Sequence, residues 1–235
     1  PIRRVTPDFP AIDVASGKHV LAFRFERPWW AQLAWLAWNH PNMPWDGTEL
    51  WVGAFNASGL IGVRDKVAGG SDESIFQPEW APDGALYFVS DRTGWWNLYR
   101  WSPSTPLAAA PGADRSTALR AAGLDAEAIC PIEAEFGKPQ WTFSMASYAF
   151  VSATRMAANY VQDGRWKLAM IDVYTKQFEP VDLPVQPLES IKANGNSIYF
   201  IGGSATEPTA IVKLVYPPEG GHHKIKSEGG HHKIK

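Results

Sequence analysis

Residues 77–101 read Q-P-E-W-A-P-D-G-A-L-Y-F-V-S-D-R-T-G-W-W-N-L-Y-R-W, and no other stretch constrains the fold as much. Pro82-Asp83-Gly84 is turn chemistry: Asp bonds its own backbone and Gly tolerates positive φ. An apolar strand follows from Leu86 to Val89, then a polar turn, Ser90-Asp91-Arg92-Thr93-Gly94, then a second strand from Asn97 to Trp101. A turn, a short strand, a turn and another short strand with aromatics at the ends make a hairpin that cannot bury both faces alone. The rest of the chain should therefore repeat it.

Degenerate copies are present. Residues 33–38 (L-A-W-L-A-W) lead through a polar connection to 49–55 (E-L-W-V-G-A-F). Residues 157–161 lead through Asp163-Gly164 to 166–172, and 197–201 lead through Gly202-Gly203 to 210–214. Residues 20–25 (V-L-A-F-R-F) read as an incomplete fifth copy. Such repeats predict an all-β chain and specifically a β-propeller, with four or five recognisable blades, and leave open whether the ring is complete or incomplete. Pro and Gly, 19 and 20 in number, punctuate many short strands. The one helix the sequence predicts is 116–128 (S-T-A-L-R-A-A-G-L-D-A-E-A), and 102–112 reads as a surface insertion.

Composition narrows the function classes. A net charge of −2 leaves no electrostatic footprint for nucleic acid. No apolar run approaches the roughly 20 residues of a membrane span. A lone Cys130 excludes an internal disulfide and points to a reducing, cytoplasmic compartment. The chain begins at Pro1, so the native N-terminus is expected to lie upstream. Twelve Trp suit packing between blades and, in part, a binding surface. Residues 1–216 are expected to form the propeller, with 30–216 the best supported part. The segment 219–226 (E-G-G-H-H-K-I-K) recurs unchanged at 228–235, so 217–235 reads as a tag-like or disordered tail.

Four segments resemble the N-terminal β-propeller of the prolyl oligopeptidase family of serine peptidases, in its dipeptidyl aminopeptidase/acylaminoacyl-peptidase branch. They are 38–52 (W-N-H-P-N-M-P-W-D-G-T-E-L-W-V), 77–100, 130–141 (C-P-I-E-A-E-F-G-K-P-Q-W) and 202–212 (G-G-S-A-T-E-P-T-A-I-V). The resemblance implies a propeller that gates an α/β-hydrolase domain, in cis or in trans, and helps select short peptides without a cofactor. The chain itself has no G-x-S-x-G nucleophile elbow, so no catalytic residue is assigned to it. A stand-alone propeller that binds proteins or peptides is the alternative. An enzyme with its site in the propeller channel is a third reading, for which no catalytic cluster is seen.

Candidate binding residues fall in connections, where a rigid scaffold presents recognition groups. The 39–48 loop offers His40, Asn42, Trp45 and Asp46. Alternation would place Glu133 and Glu135 on one strand face, where two carboxylates can hold a peptide ammonium group. Asp91 and Arg92 with Trp95-Trp96 could form a charged rim beside an aromatic platform. No Cys/His cluster in the body has zinc-site spacing, and no metal ligand is assigned.

Overall fold

The structure, a computed structural model, describes residues 2–6, 9–12, 32–55, 61–102, 126–142 and 144–216. Among these there is no helix; strands are joined by turns and bends. Two compact units appear, 1–31 and 32–235. The first contains an antiparallel pair, β1 (Ile2–Thr6) and β2 (Phe9–Ile12). The second contains four antiparallel sheets that follow one another in chain order.

The first of these sheets is β3 (Gln32–Ala37), β4 (Glu49–Phe55) and β5 (Ile61–Gly69). The second is β6 (Ile75–Trp80), β7 (Leu86–Ser90), β8 (Asn97–Trp101) and β9 (Glu127–Ala128). The third is β10 (Tyr148–Phe150), β11 (Arg155–Gln162), β12 (Arg165–Asp172) and β13 (Phe178–Val181). The fourth is β14 (Gln186–Asn194), β15 (Ser197–Gly203) and β16 (Ala210–Val215). Each expected strand pair from 33–38 onwards thus becomes part of one sheet. The fifth copy at 20–25, most of the helix at 116–128, nearly all of the 102–112 insertion and the repeated tail lie outside the described residues. Where the expected helix enters described residues it is corrected: Glu127 and Ala128 form β9, which pairs with Tyr99 and Arg100.

Side-chain parity shows why the middle strands read as unbroken apolar runs. In β7, Leu86 and Phe88 face the first sheet with Leu50, Val52 and Trp101. Tyr87 and Val89 face the third sheet with Met156, Ala158 and Ile171. In β12, Ala169 and Ile171 share that core, while Leu168 and Met170 face the fourth sheet with Ile191, Ile198 and Phe200. A strand buried on both faces has no polar side to alternate with. β16 has one buried side only: Leu214 is 3 % exposed and Ile211 80 %. No core joins the first sheet to the fourth among the described residues.

The Pro82-Asp83-Gly84 turn forms as its residues require. Gly84 has φ +83° and donates to Ala81 O, while Asp83 Oδ1 accepts from Ala85 N at 2.9 Å. Open space surrounds the Gly84 Cα, so only backbone strain opposes a side chain there. Gly84→Val is expected to cost roughly 1–3 kcal/mol in urea unfolding, against little for Ala85→Ser. Equal stabilities would remove the positive-φ requirement.

A second device ties two sheets together. Gln77 sits in a bulge of β6 at φ +47°. Its side-chain Oε1 accepts from Ser147 N at 2.7 Å and Tyr148 N at 3.3 Å, and its Nε2 donates to Tyr148 O at 2.8 Å. Tyr148 Oη donates back to Gln77 O at 2.7 Å. One amide side chain thereby stands in for a strand partner of β10.

Cys130 is buried in the core between the second and third sheets. Burial pushes its thiol up to about 12, which leaves almost no thiolate near neutrality. The folded protein is expected to resist iodoacetamide at mildly alkaline pH and to react only once unfolded; alkylation at equal rates in both states would show that the thiol is accessible.

Candidate functional site

Antiparallel order sends successive connections to alternate ends of each sheet. The β3–β4, β7–β8, β11–β12 and β15–β16 turns share one end with the links that pass from sheet to sheet. That end carries loop 39–48, turn 91–96, link 129–147 and turn 204–209. Each of the four segments that carry the family resemblance contributes a connection to this end, while the Pro82-Asp83-Gly84 turn inside 77–100 lies at the other.

Contacts bind loop 39–48, turn 91–96 and link 129–147 into one surface. At the base of loop 39–48, Thr48 N donates to Glu73 O at 3.0 Å, and the buried Thr48 hydroxyl donates to Pro44 O. Glu73 then pairs with Arg92 at 2.8 Å and accepts from Ser90 Oγ at 2.6 Å. Arg92 lies over the Tyr99 ring at 4.6 Å. Asp91 Oδ1 accepts from Ser74 N at 2.7 Å. The acid and base of the expected rim are therefore engaged in holding the turn and the sheet-to-sheet link.

Within the loop, Asp46 Oδ2 accepts from Met43 N at 2.8 Å and fixes a tight turn. Asn42 N donates to Asn39 O at 3.0 Å. His40 is exposed and precedes a cis His40–Pro41 bond. Trp45 is half-buried against Trp141 of the long link, with ring centroids 4.4 Å apart; Trp141 is 73 % exposed. The pair leaves most of the Trp141 ring open to solvent. Sequence reasoning named Trp45 and missed Trp141, its partner on the next sheet's connection.

Glu133 and Glu135 require a correction. They do not share a strand face. The segment is irregular, and only Glu135 pairs, in an isolated bridge to Val161. The reason is the Glu135 carboxylate itself: its Oε2 accepts from Trp96 N at 2.9 Å, and Phe136 N donates to Trp96 O at 2.7 Å. The chain is thus pulled towards the second sheet instead of extending along the third. Trp96 lies over Gly137, where a Cβ would come within 2.5 Å of the indole. Glu133 is exposed and carries no ion pair among the described residues. The structure separates the two acids into one fixed and one free.

Further round the same end, Lys138 sits 5.4 Å over the Trp166 ring and 3.4 Å from Glu189. Beside Trp166 opens a groove of about 610 Å³ between the end of the third sheet and the strap 182–187. Nothing in the sequence pattern singled it out, because its walls come from the ends of strands and a proline-rich connection. Among the described residues no cluster of His, Cys, Asp and Glu could hold a metal ion, and no helix is long and apolar enough to cross a membrane.

No family model matches the chain. No curated protein matches it either. Solved structures do. A puromycin-hydrolysing peptidase from Mycobacterium tuberculosis is similar with a TM-score of 0.66 and 30 % identity, over 78 % of this chain and 25 % of its own. A puromycin hydrolase is similar with the same TM-score and coverage at 31 % identity. These neighbours are peptidases of the prolyl oligopeptidase family, the family whose motifs the sequence resembles. TolB from Acinetobacter baumannii shares the fold alone, with a TM-score of 0.51 and 16 % identity over 83 % of this chain and 41 % of its own. The chain spans about a quarter of the length of the puromycin-hydrolysing neighbours.

Proposed function

We propose that the stacked sheets are the blades of a β-propeller, and that this propeller is the non-catalytic, substrate-gating part of a serine peptidase of the prolyl oligopeptidase family acting on short peptides. The similarity to puromycin-hydrolysing peptidases, at 30–31 % identity over 78 % of the chain, carries the reading. Antiparallel sheets in chain order, each packed on its neighbours, are also how propeller blades are arranged. The partner on this reading is an α/β-hydrolase domain. The surface towards peptide is the end that bears loop 39–48 and link 129–147. Trp45 and Trp141 form its aromatic platform, His40, Asn42 and Asp46 shape the loop, and Glu133 offers a free carboxylate to a peptide ammonium group.

The test grafts residues 32–216 in place of the corresponding segment of the similar Mycobacterium tuberculosis peptidase and follows aminoacyl and dipeptidyl chromogenic substrates. The chain alone is expected to be inert, since it lacks a nucleophile elbow. In the chimera, Glu133→Gln is expected to raise KM about tenfold for free-amino peptides and little for N-blocked ones, from loss of one charge-assisted bond. Glu135→Gln should instead lower the melting temperature. If Glu133→Gln leaves both substrate classes unchanged, the site assignment is wrong. If a chimera that folds cannot discriminate peptides by length, the gating role is wrong.

A further inference from the structure

We propose that the uncovered end of β12 is a docking site for a free tripeptide, distinct from the loop surface described above. β13 pairs with β12 only from Leu168↔Val181 to Ile171↔Phe178, although β12 begins at Arg165. Among the described residues, Arg165, Trp166 and Lys167 therefore have a strand neighbour on the β11 side alone. Pro180 lacks an N–H and stands opposite Ala169. The hydrogen-bonded rungs towards β13 thus fall at Leu168 and Met170, and by alternation the next outward-facing N–H is that of Trp166. Its partner is Gln186 Oε1 at 3.2 Å. An exposed side chain occupies the position of a strand carbonyl, and an arriving peptide can replace it.

The space beside this rung is the groove of about 610 Å³, inside the roughly 300–1,000 Å³ of small-ligand sites. Trp166, Leu168, Val181, Leu183 and Val185 are among the residues that line it. The charges at its ends set a direction. A peptide continuing the line of β13 runs antiparallel to β12, so its C-terminus arrives at Arg165 and its N-terminus lies beside Asp182; both residues border the groove. Arg165 is exposed and carries no ion pair among the described residues. Among the described residues Lys167 reaches Gln162 at 3.1 Å and the exposed Asp163 at 3.9 Å. The uncovered stretch, at about 3.3 Å per residue, holds roughly three residues. Strand addition gives the affinity through main-chain bonds, and the apolar walls accept alternate side chains.

The site does not rest on the peptidase reading, since binding is measured on this chain with no hydrolase domain present. The probe is Ala-Val-Ala with free termini, followed by calorimetry and saturation-transfer NMR at millimolar concentration. Its C-terminal amide is expected to bind roughly tenfold more weakly or worse, as is the free acid to Arg165→Glu. Gln186→Ala, which removes the competing acceptor, should strengthen binding roughly two- to tenfold. Lys213→Glu, on the fourth sheet's outer face, should change nothing. Melting curves establish that each variant is folded. Absence of binding by the parent chain, equal affinity for acid and amide, or indifference to both Arg165→Glu and Gln186→Ala would overturn the proposal.

Discussion

Gln77→Ala is expected to cost about 3–5 kcal/mol, since each buried polar group left without a partner costs about 1–3 kcal/mol. Ser147 N, Tyr148 N and Tyr148 O all lose their bond to the Gln77 amide at once. Ser147 and Tyr148 are 4 % and 1 % exposed, so water cannot readily replace it. Shortening by one methylene in Gln77→Asn should be nearly as harmful, because the amide no longer reaches β10. Gln77→Glu keeps the acceptor for Ser147 N but turns a carboxylate oxygen towards Tyr148 O, and should fall with the others. Urea unfolding reads the series. A loss for Gln77→Ala within the ~0.5 kcal/mol of ordinary surface changes would mean that the second and third sheets hold together without this bracket.

Gly69→Ala should be the most damaging of the glycine changes. Gly69 has φ +86°, close to that of Gly84, but a Cβ there would collide with the Thr48 carbonyl oxygen, which is backbone and cannot turn aside. The strain alone is about 1–3 kcal/mol, and relieving the clash means moving the foot of loop 39–48. Gly69 N also donates to Glu73 Oε2 at 3.1 Å, and Gly70 N to Thr48 O at 3.1 Å. The expected result is a loss of about 3 kcal/mol or more, with release of Trp45 from Trp141. Gly84→Ala, at a matching φ in open space, serves as the comparison and should cost clearly less. If both glycines tolerate Ala equally, the close approach at Thr48 is not rigid.

Turn chemistry made the second sheet's central hairpin legible. Asp83-Gly84 and Ser90 to Gly94 bound β7, and Asn97 opens β8 as the pattern requires. β11, β12, β15 and β16 were visible for the same reason. β6 and β10 were not: one carries a bulge at Gln77 and the other spans three residues, so neither shows a period. β9 owes its pairing to Tyr99, across an insertion that local patterning cannot bridge. The candidate site was legible as a set of loops but not as contacts. Trp45 and Asp46 stood out by type, whereas Trp141 acquires meaning only when link 129–147 is laid beside loop 39–48. The two acids misled because alternation assumes a strand, and Glu135 spends its carboxylate on Trp96 N, far away in sequence. Gln77 lay at the head of the most telling motif, yet its partners are 70 and 71 residues distant.

The ordering of the cores has a consequence for how the protein comes apart. Among the described residues each core is shared by two successive sheets, so stability passes from neighbour to neighbour. Among these described residues the first and fourth sheets each share one core and the second and third share two, so an outer sheet can detach where a middle one would expose two faces. Amide exchange should accordingly be slowest in β7 and β11 and faster towards both β3 and β16. A protease would pare such a chain sheet by sheet, in the manner of an unzipping stack rather than a single collapse.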